Sequence, residues 1–356
     1  AEEWVNTTCP ECGGPARREV DTLATFVDSS WYYLRYPNPH YEEGPFDPVE
    51  VEYWLPVDKY VGGIEHATLH LLYARFVTKV LYDLGHVGFT EPFTELFTQG
   101  MIYKDGAKMS KSLGNVVTPE SIGDRYGADT GRTFILFVGP PDQDAEWSDQ
   151  GVEGVFRFLN RVWRAVNGHQ KLYMEDWRAR IPAMDCLNEA ERSLRRKTHQ
   201  TIRDVTEDID TMHLNTAVSS LMELTNELVP FADALGADEE VTRAVYSEAV
   251  ESLVLLLSPF APHLCDELWE RLGHMGTTWE AQWPVHEDAI AAAETITVVI
   301  QINGKVRDKV EVPAGTDIDL VAEMAQDQPN VRRYLEGRQI RKIIKVPDRL
   351  VNLVVG

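Results

Sequence analysis

The sequence predicts an open α/β region, then an α-helical bundle, then a small α+β domain. Three observations predict that order. Short strand-like apolar segments alternate with helix starts through the first 117 residues. From Val152 onward apolar residues recur at three- and four-residue steps. Near the C-terminal end, Thr295 to Ile302 and Lys305 to Val312 flank Asn303-Gly304, a strong two-residue hairpin signal.

A chain of 356 residues has room for two or three domains and a sizeable core. Its formal net charge is -23, from 57 acidic and 34 basic side chains, while 44% of the residues are hydrophobic. That hydrophobic content is typical of a folded protein, and the acidity argues against nonspecific nucleic-acid binding without excluding a local basic patch. Evenly spread Asp and Glu with more Arg than Lys suggest a source adapted to high salt, where electrostatic reach is short. Four scattered cysteines give no disulfide framework, so a reducing cytoplasm is expected. There is no apolar run of transmembrane length and hence no membrane partner is expected. The chain opens with Ala-Glu-Glu and enters strand and turn material at once, which reads as a piece of something longer.

Taken in order, Cys9-Pro-Glu-Cys12-Gly-Gly is a knuckle-like turn offering half of a tetrahedral zinc site; the alternative is a reduced, metal-free turn. Val20 to Arg35 reads as a strand-like segment at Phe26 and Val27 that breaks into Asp28-Ser29-Ser30 and starts a helix carrying Trp31 to Tyr36. Asp28 or Ser29 is the expected N-cap, and strand ends of this kind are where open α/β sheets bind ligands. Tyr60-Val61 ends a second strand, and Gly62-Gly63 lets a ligand approach the backbone. On the helix that follows, His66 and His70 share one face at i, i+4. With no Glu after the first His, they read as satisfied or substrate-contacting side chains rather than zinc ligands. Glu65, at the helix start, suits sugar hydroxyls.

A third strand-like segment, Leu96 to Tyr103, runs into Asp105-Gly-Ala-Lys-Met-Ser-Lys-Ser-Leu-Gly-Asn115. Lys108 and Lys111, flanked by Gly106 and Gly114, form a mobile cationic loop suited to polyphosphate. Each ammonium about 4 Å from a phosphate oxygen is worth roughly 4 kcal/mol at an effective dielectric near 20. Thr118 and Pro119 then read as N-cap and first helical residue, and an apolar helix carries Phe134, Ile135 and Phe137.

In the second half, Leu187, Ala190, Leu194, Ile202, Val205 and Ile209 fit one face of a long helix. Further helices fit Thr216 to Leu228, Glu239 to Leu257 and Pro262 to Leu272. Arg195-Arg196-Lys197 is a basic cluster, either a solvated face or a phosphate contact. After the hairpin, Thr316 and Asp319 suggest a capping box, and strands at Ile340 to Val346 and Leu350 to Val355 complete a mixed sheet. Arg332, Arg333, Arg338, Arg341, Lys342 and Lys345 make this the most basic region of the chain.

The Lys-Met-Ser-Lys-Ser loop resembles the second signature of class I aminoacyl-tRNA synthetases. The phrases Thr25-Phe-Val-Asp-Ser-Ser-Trp-Tyr-Tyr-Leu-Arg35, Val61 to Phe76, Asp144 to Gly154 and Ile302-Asn-Gly-Lys-Val-Arg307 narrow the resemblance to the bacterial-type leucyl-tRNA synthetases. The resemblance implies a second half of a Rossmann-type catalytic domain over 20–117, after a Cys-x-x-Cys turn and linker over 1–19. It implies a stem-contact connection over 118–150, a helical anticodon-binding-type domain over 151–290 and a tRNA-contacting α+β domain over 291–356. Lys108 and Lys111 would hold the phosphates of ATP, supplied with Mg2+, as leucyl-adenylate forms, with Met109, Ser110 and Ser112 shaping the loop. Gly62, Gly63 and Glu65 would take the adenosine. Phe26, Ser29, Tyr32, His66 and His70 would line the leucine pocket. Arg332, Arg333, Arg338, Arg341, Lys342 and Lys345 would meet the backbone of tRNA-Leu, while the bundle would position the tRNA rather than read its anticodon.

Departures from the family pattern are informative. Leu23-Ala24 stands where the family has Met-Asp, and the segment before the lysine loop is too short for a leucine-specific insertion. The first class I signature, a His-x-Gly-His-like turn, is absent; His86 in Leu84-Gly-His-Val-Gly88 has the wrong neighbours. That signature and the editing insertion precede this segment in the family, so the chain alone is expected to be inactive and to need an N-terminal part of the synthetase. The rival readings are a non-catalytic tRNA-binding subunit of a split synthetase and a regulatory paralogue.

Overall fold

The computed structural model describes residues 2–23, 25–236, 239–292 and 295–356, so Ala24 lies outside the described residues. The chain divides into two units, one of Ala1–Val116 with Val138–Ser148, the other of Val117–Phe137 with Asp149–Gly356. Of the expected connection over 118–150, residues up to Phe137 therefore fall with the helical unit and Val138–Ser148 with the α/β unit.

The first unit begins with α1 (Glu2–Val5) and an antiparallel pair, β1 (Asn6–Thr8) and β2 (Pro15–Arg17), which closes the cysteine knuckle. Helices α2 (Tyr32–Arg35) and α3 (Pro48–Trp54) follow, α3 starting where Asp47 accepts the N–H groups of Val49 and Glu50 and Pro48 fills the first helical position. Strands β3 (Val57–Gly63) and β4 (Phe93–Gln99) pair in parallel, and the chain crosses between them through α4 (His70–Asp83). Helix α4 turns His70, Leu71, Ala74 and Thr78 inward, and the unit's core gathers Tyr33, Leu34, Phe46, Val51, Leu55, Ala74 and Val87. Tyr33 ties α2 to α4: its buried hydroxyl lies 2.7 Å from Thr78 Oγ1 and donates to the carbonyls of Ser30 and Ala74. Burial pushes its ionisation up to about 12, against the pull of the Thr78 bond. Strands β5 (Ile102–Lys104) and β6 (Ala107–Lys108) form a hairpin whose turn, Asp105-Gly106, has both residues at positive φ. Strand β7 (Ala145–Glu146) adds to β5 in parallel.

One local expectation fails here. Phe26 and Val27 sit in a turn, followed by a 3₁₀ turn at Asp28–Ser30, and neither Asp28 nor Ser29 caps a helix. The Ser29 and Ser30 hydroxyls instead bond back to the carbonyls of Phe26 and Val27. Serine's capacity to satisfy its own local backbone has overridden the strand propensity of Phe-Val.

In the second unit, α5 (Pro119–Tyr126) starts at the Thr118 cap, and α6 (Ala128–Phe137) and α7 (Asp149–Asn167) follow. Helix α8 (Glu189–Asp210) begins at an Asn188–Glu191 capping box. Helices α9 (Leu214–Asp233), α10 (Glu240–Leu257), α11 (Pro262–Arg271) and the short α12 (Asp288–Ala291) complete the bundle. Every residue of α10 from Ala244 to Leu257 is buried, so it is the central helix. Leu194, Ile202 and Val205 of α8 are buried as expected, whereas Ala190 is exposed in its first turn and Leu187 is buried just ahead of the helix.

The final domain has β8 (Thr295–Ile302), β9 (Lys305–Pro313), α13 (Ile318–Asp327), α14 (Pro329–Leu335), β10 (Ile340–Val346) and β11 (Leu350–Val355). The sheet order is β10-β11-β8-β9, with β11 and β8 parallel and the other pairs antiparallel. Asn303 and Gly304 both hold positive φ, as a two-residue hairpin turn requires. The expected capping box is not formed, and the helix starts one residue later on a single cap. Asp317 is the cap and accepts the Asp319 N–H, while the Thr316 hydroxyl bonds to the Pro313 carbonyl. The core of this domain is drawn entirely from its own strands and helices, including Val298, Ile300, Val321, Val331 and Leu353. Each such side chain contributes about 1.5–3 kcal/mol by leaving water.

Candidate active site and nucleic-acid interface

Phe26, Tyr32, His66 and His70 come together although the first and last are 44 positions apart in the chain, and Ser29 lies in the turn between Phe26 and Tyr32. Phe26 meets His66 edge-on at 6.0 Å, His66 meets His70 at 6.2 Å, and Tyr32 meets His70 at 5.6 Å. His70 is 5% exposed, and neither of its ring nitrogens has a hydrogen-bond partner among the described residues; His66 Nδ1 is equally unpartnered. Burial, and then the neighbouring His66, lower the ionisation of His70 below the ordinary histidine value, so its ring is neutral near pH 7. Buried polar atoms without partners are uncommon and mark groups that meet something else. The arrangement is an apolar aromatic wall with a few unpartnered polar atoms, a composition that small-molecule pockets share.

Sequence reasoning missed two rings of this wall. Tyr60 lies 5.6 Å from His70 and Phe93 lies 6.2 Å from it, and both line a cavity of about 470 Å³ that Tyr32 also lines. Tyr60 carried a readable signal, its place two residues before a glycine. A Cβ on Gly62 would sit 2.6 Å from the Tyr60 ring, and one on Gly63 would sit 2.5 Å from the Glu65 carboxylate. The Gly-Gly pair thus lets both side chains fold back over the end of β3. Phe93 carried none, because only the β3–β4 register brings it opposite Val57.

The lysine loop follows β6, which ends on Lys108. Lys108, Lys111 and Ser112 are exposed and Met109 and Ser110 half-buried. Neither lysine has an ion-pair partner among the described residues. Asn115 closes the loop: its Oδ1 accepts the Ser110 N–H at 2.9 Å and its Nδ2 donates to the Lys104 carbonyl at 3.2 Å. The Ser110 and Ser112 hydroxyls are 3.2 Å apart. The loop is therefore pinned at its base with both ammonium groups in solvent, an arrangement able to neutralise a polyphosphate.

At the knuckle, the Cys9 N–H bonds to Gly14 and the Gly13 N–H to Cys9. Backbone N–H groups of Cys12 and Glu11, and then the Cys12 side chain, pull the Cys9 thiol below its ordinary value. The turn supplies two thiols, and the described residues contain no group of three or more His, Cys, Asp or Glu able to hold a metal. A tetrahedral zinc site is thus half furnished.

The basic residues divide. Arg195 pairs with buried Glu248 at 3.0 Å, Lys197 with Glu223 at 2.5 Å, and Arg196 donates to the Ala292 carbonyl. All three side chains of the Arg195-Arg196-Lys197 cluster are therefore engaged by protein partners, Arg195 within the bundle and the other two at its surface. Arg332, Arg333, Arg338, Arg341, Lys342 and Lys345 are all exposed. Arg332 pairs with Asp327 at 2.9 Å and Lys345 with Asp319, while Arg341 and Lys342 project from β10, the edge strand.

Comparison with known proteins accords with this fold. Residues 14–148 match the family described as tRNA synthetases class I (I, L, M and V), and residues 191–322 match the anticodon-binding domain of tRNA ligase. The solved structure of Mycobacterium tuberculosis methionyl-tRNA synthetase bound by methionyl-adenylate shares the fold, with a TM-score of 0.52 at 18% identity over 75% of this chain and 52% of that one. The chain thus carries the class I aminoacyl-tRNA synthetase fold, with a partial Rossmann-like α/β region followed by helices.

Within that class it matches the C-terminal part of leucine–tRNA ligases. It is 50% identical to leucine–tRNA ligase of Thermosipho melanesiensis and 51% identical to that of Thermotoga petrophila, over 99% of this chain and 42% and 43% of theirs. The ternary complex of Agrobacterium radiobacter K84 agnB2 LeuRS with tRNA and LeuAMS superposes with a TM-score of 0.78 at 38% identity, over 100% of this chain and 44% of that one. The chain spans less than half the length of these relatives. No helix among the described residues is long and apolar enough to cross a membrane.

Proposed function

We propose that this chain supplies the C-terminal part of a leucine–tRNA ligase, which activates leucine with ATP and transfers it to tRNA-Leu. The observation that carries the reading is the convergence of Phe26, Tyr32, His66 and His70 on a wall in which both His70 nitrogens and His66 Nδ1 lack hydrogen-bond partners among the described residues. Leucine differs from its competitors by shape alone, and an aromatic wall reads shape at about 1–3 kcal/mol per methylene. Glu65, folded back over Gly63, would accept hydrogen bonds from ribose hydroxyls while the glycine pair lets adenosine lie against the backbone. When the leucine carboxylate attacks the α-phosphorus, charge moves onto pyrophosphate, and Lys108 and Lys111 would lie where it accumulates. The loop offers cations rather than carboxylates, so Mg2+ would arrive with the nucleotide and this chain's residues would hold phosphate oxygens. The exposed arginines and lysines of the C-terminal domain would take the tRNA backbone.

The α/β unit also supports a role as part of a larger catalytic fold. Strands β3 and β4 form a two-stranded parallel sheet, an arrangement that is normally extended by further strands and covered on both faces. Outward on α4, Leu72 and Phe76 are 56% and 67% exposed and continue an apolar stripe from Leu69 to Val80. The test is leucine-dependent ATP–pyrophosphate exchange by this chain alone and then with the preceding part of a leucine–tRNA ligase added. Exchange only in the mixture is expected. Exchange by the chain alone would overturn the claim of incompleteness, and none in the mixture would favour a regulatory paralogue.

A further inference from the structure

The segment between the bundle and the C-terminal sheet domain is fastened along one face of α8. The Trp283 indole N–H donates to Thr206 Oγ1 at 2.9 Å, and the Glu287 backbone N–H donates to His199 Nδ1 at 2.9 Å. Gln200 Nε2 then donates to the Ala291 carbonyl at 2.8 Å, and Arg196 Nε to the Ala292 carbonyl at 3.0 Å. At about 100° per residue, positions 196, 199, 200 and 206 fall within an arc of roughly 120°, so the four groups lie on one side of the helix. The segment therefore runs antiparallel to α8, toward its N-terminal end, and buries Ile290 and Ala291 on the way.

The rail is braced from within. Because His199 Nδ1 accepts the Glu287 N–H, its proton sits on Nε2 and is donated to Glu248 at 3.1 Å, whose other oxygen takes Arg195 at 3.0 Å. His199 and Glu248 are 3% and 4% exposed, so this ring is held rigidly. The last two fastened carbonyls, Ala291 and Ala292, come four and three positions before β8 opens the sheet domain at Thr295, and the core of that domain is its own.

We propose that Arg196 and Gln200 are positioning residues: by clamping the Ala291 and Ala292 carbonyls they set the direction in which the C-terminal domain presents its basic edge strand to RNA. The inference rests on the reading of β10 as an RNA contact. It also gives a role to Arg196, whose cluster reads in sequence as either a solvated face or a phosphate contact.

The test uses the whole 356-residue chain with Cys9, Cys12 and Cys186 changed to Ser and nitroxide labels on Glu207→Cys and Glu323→Cys. Pulsed electron resonance measures the distance distribution, and a filter assay measures affinity for a tRNA-Leu transcript. The Arg196→Met, Gln200→Leu double variant should broaden the distribution with an unchanged helical melting curve. If a tenth of the molecules then present the strand correctly, apparent affinity falls about tenfold. Arg196→Lys, which keeps a donor, should restore most of both. An unchanged distribution overturns the clamp. A broadened distribution with unchanged affinity overturns the positioning role, provided Arg341→Glu with Lys342→Glu does weaken binding. If that charge reversal also leaves binding intact, the RNA-contact reading has failed instead.

Discussion

Replacing His70 by Phe should stabilise the α/β unit and damage its function, a combination that an ordinary core histidine would not give. The imidazole is 5% exposed, packed among Tyr32, Tyr60, Phe93 and His66, with both nitrogens unpartnered. A buried polar group without a partner costs about 1–3 kcal/mol. Phenylalanine keeps the ring and removes the penalty, so local opening of α4, read by amide hydrogen exchange, should become harder by about 1–3 kcal/mol. If a ring nitrogen meets bound leucine or a water beside it, kcat/KM for leucine in the complemented enzyme should fall by about tenfold, the worth of one hydrogen bond. The sign of the pH effect follows from linkage. Burial, reinforced by His66, sets the folded-state ionisation below the reference value of 6.5, so between the two values the unfolded chain binds the extra proton. Stability of this unit should therefore fall as pH drops below 6.5, and the phenylalanine variant should lose that dependence. Faster exchange in the variant, or full leucine activity, would refute the argument that these nitrogens are kept for a ligand.

Two further outcomes are expected. Asn115→Ala removes the two bonds that close the lysine loop, worth together about 2 kcal/mol, so trypsin should cut after Lys108 or Lys111 roughly tenfold faster or more; an unchanged rate would mean that the loop is held elsewhere. In the bundle, Glu251→Ala strands the buried Trp177 indole N–H and removes the partner of the exposed Arg178, and should cost about 1–3 kcal/mol in denaturant unfolding followed by circular dichroism. Burial alone would raise the Glu251 carboxyl, but bonds from Tyr173, Trp177 and Arg178 outweigh it and hold its ionisation below the usual value. Its contribution is thus complete above the ordinary carboxylate range and is lost as pH falls through the lowered one, so Glu251→Gln should show a shallower acid loss than the parent.

What the sequence determined by itself was everything encoded within a few residues. Asn303-Gly304 dictated a hairpin because both positions must take positive φ, and Thr118-Pro119 dictated a helix start because one residue supplies an acceptor and the other needs no partner. The two lysines of the loop and the glycine pair were legible because their chemistry depends on spacing along the chain, whereas the expected helix carrying both His66 and His70 is not formed: His66 lies in a 3₁₀ turn, Ile64–Ala67, and His70 opens α4 after the non-helical Leu69. Tertiary structure decided which charges remain available and which rings face one another. Arg195 and Lys197 look like Arg341 and Lys342 in sequence, yet the first pair is neutralised by Glu248 and Glu223 while the second lies on a free strand edge. Phe93 joins the His70 wall only through strand register, and Asn115 reaches Ser110 only because the hairpin before the loop brings the Lys104 carbonyl back to its base. Local codes fix backbone conformation, because sterics and hydrogen-bond valence act over neighbouring residues. Desolvation, charge pairing and pocket shape act through space, and are set only once distant segments have packed.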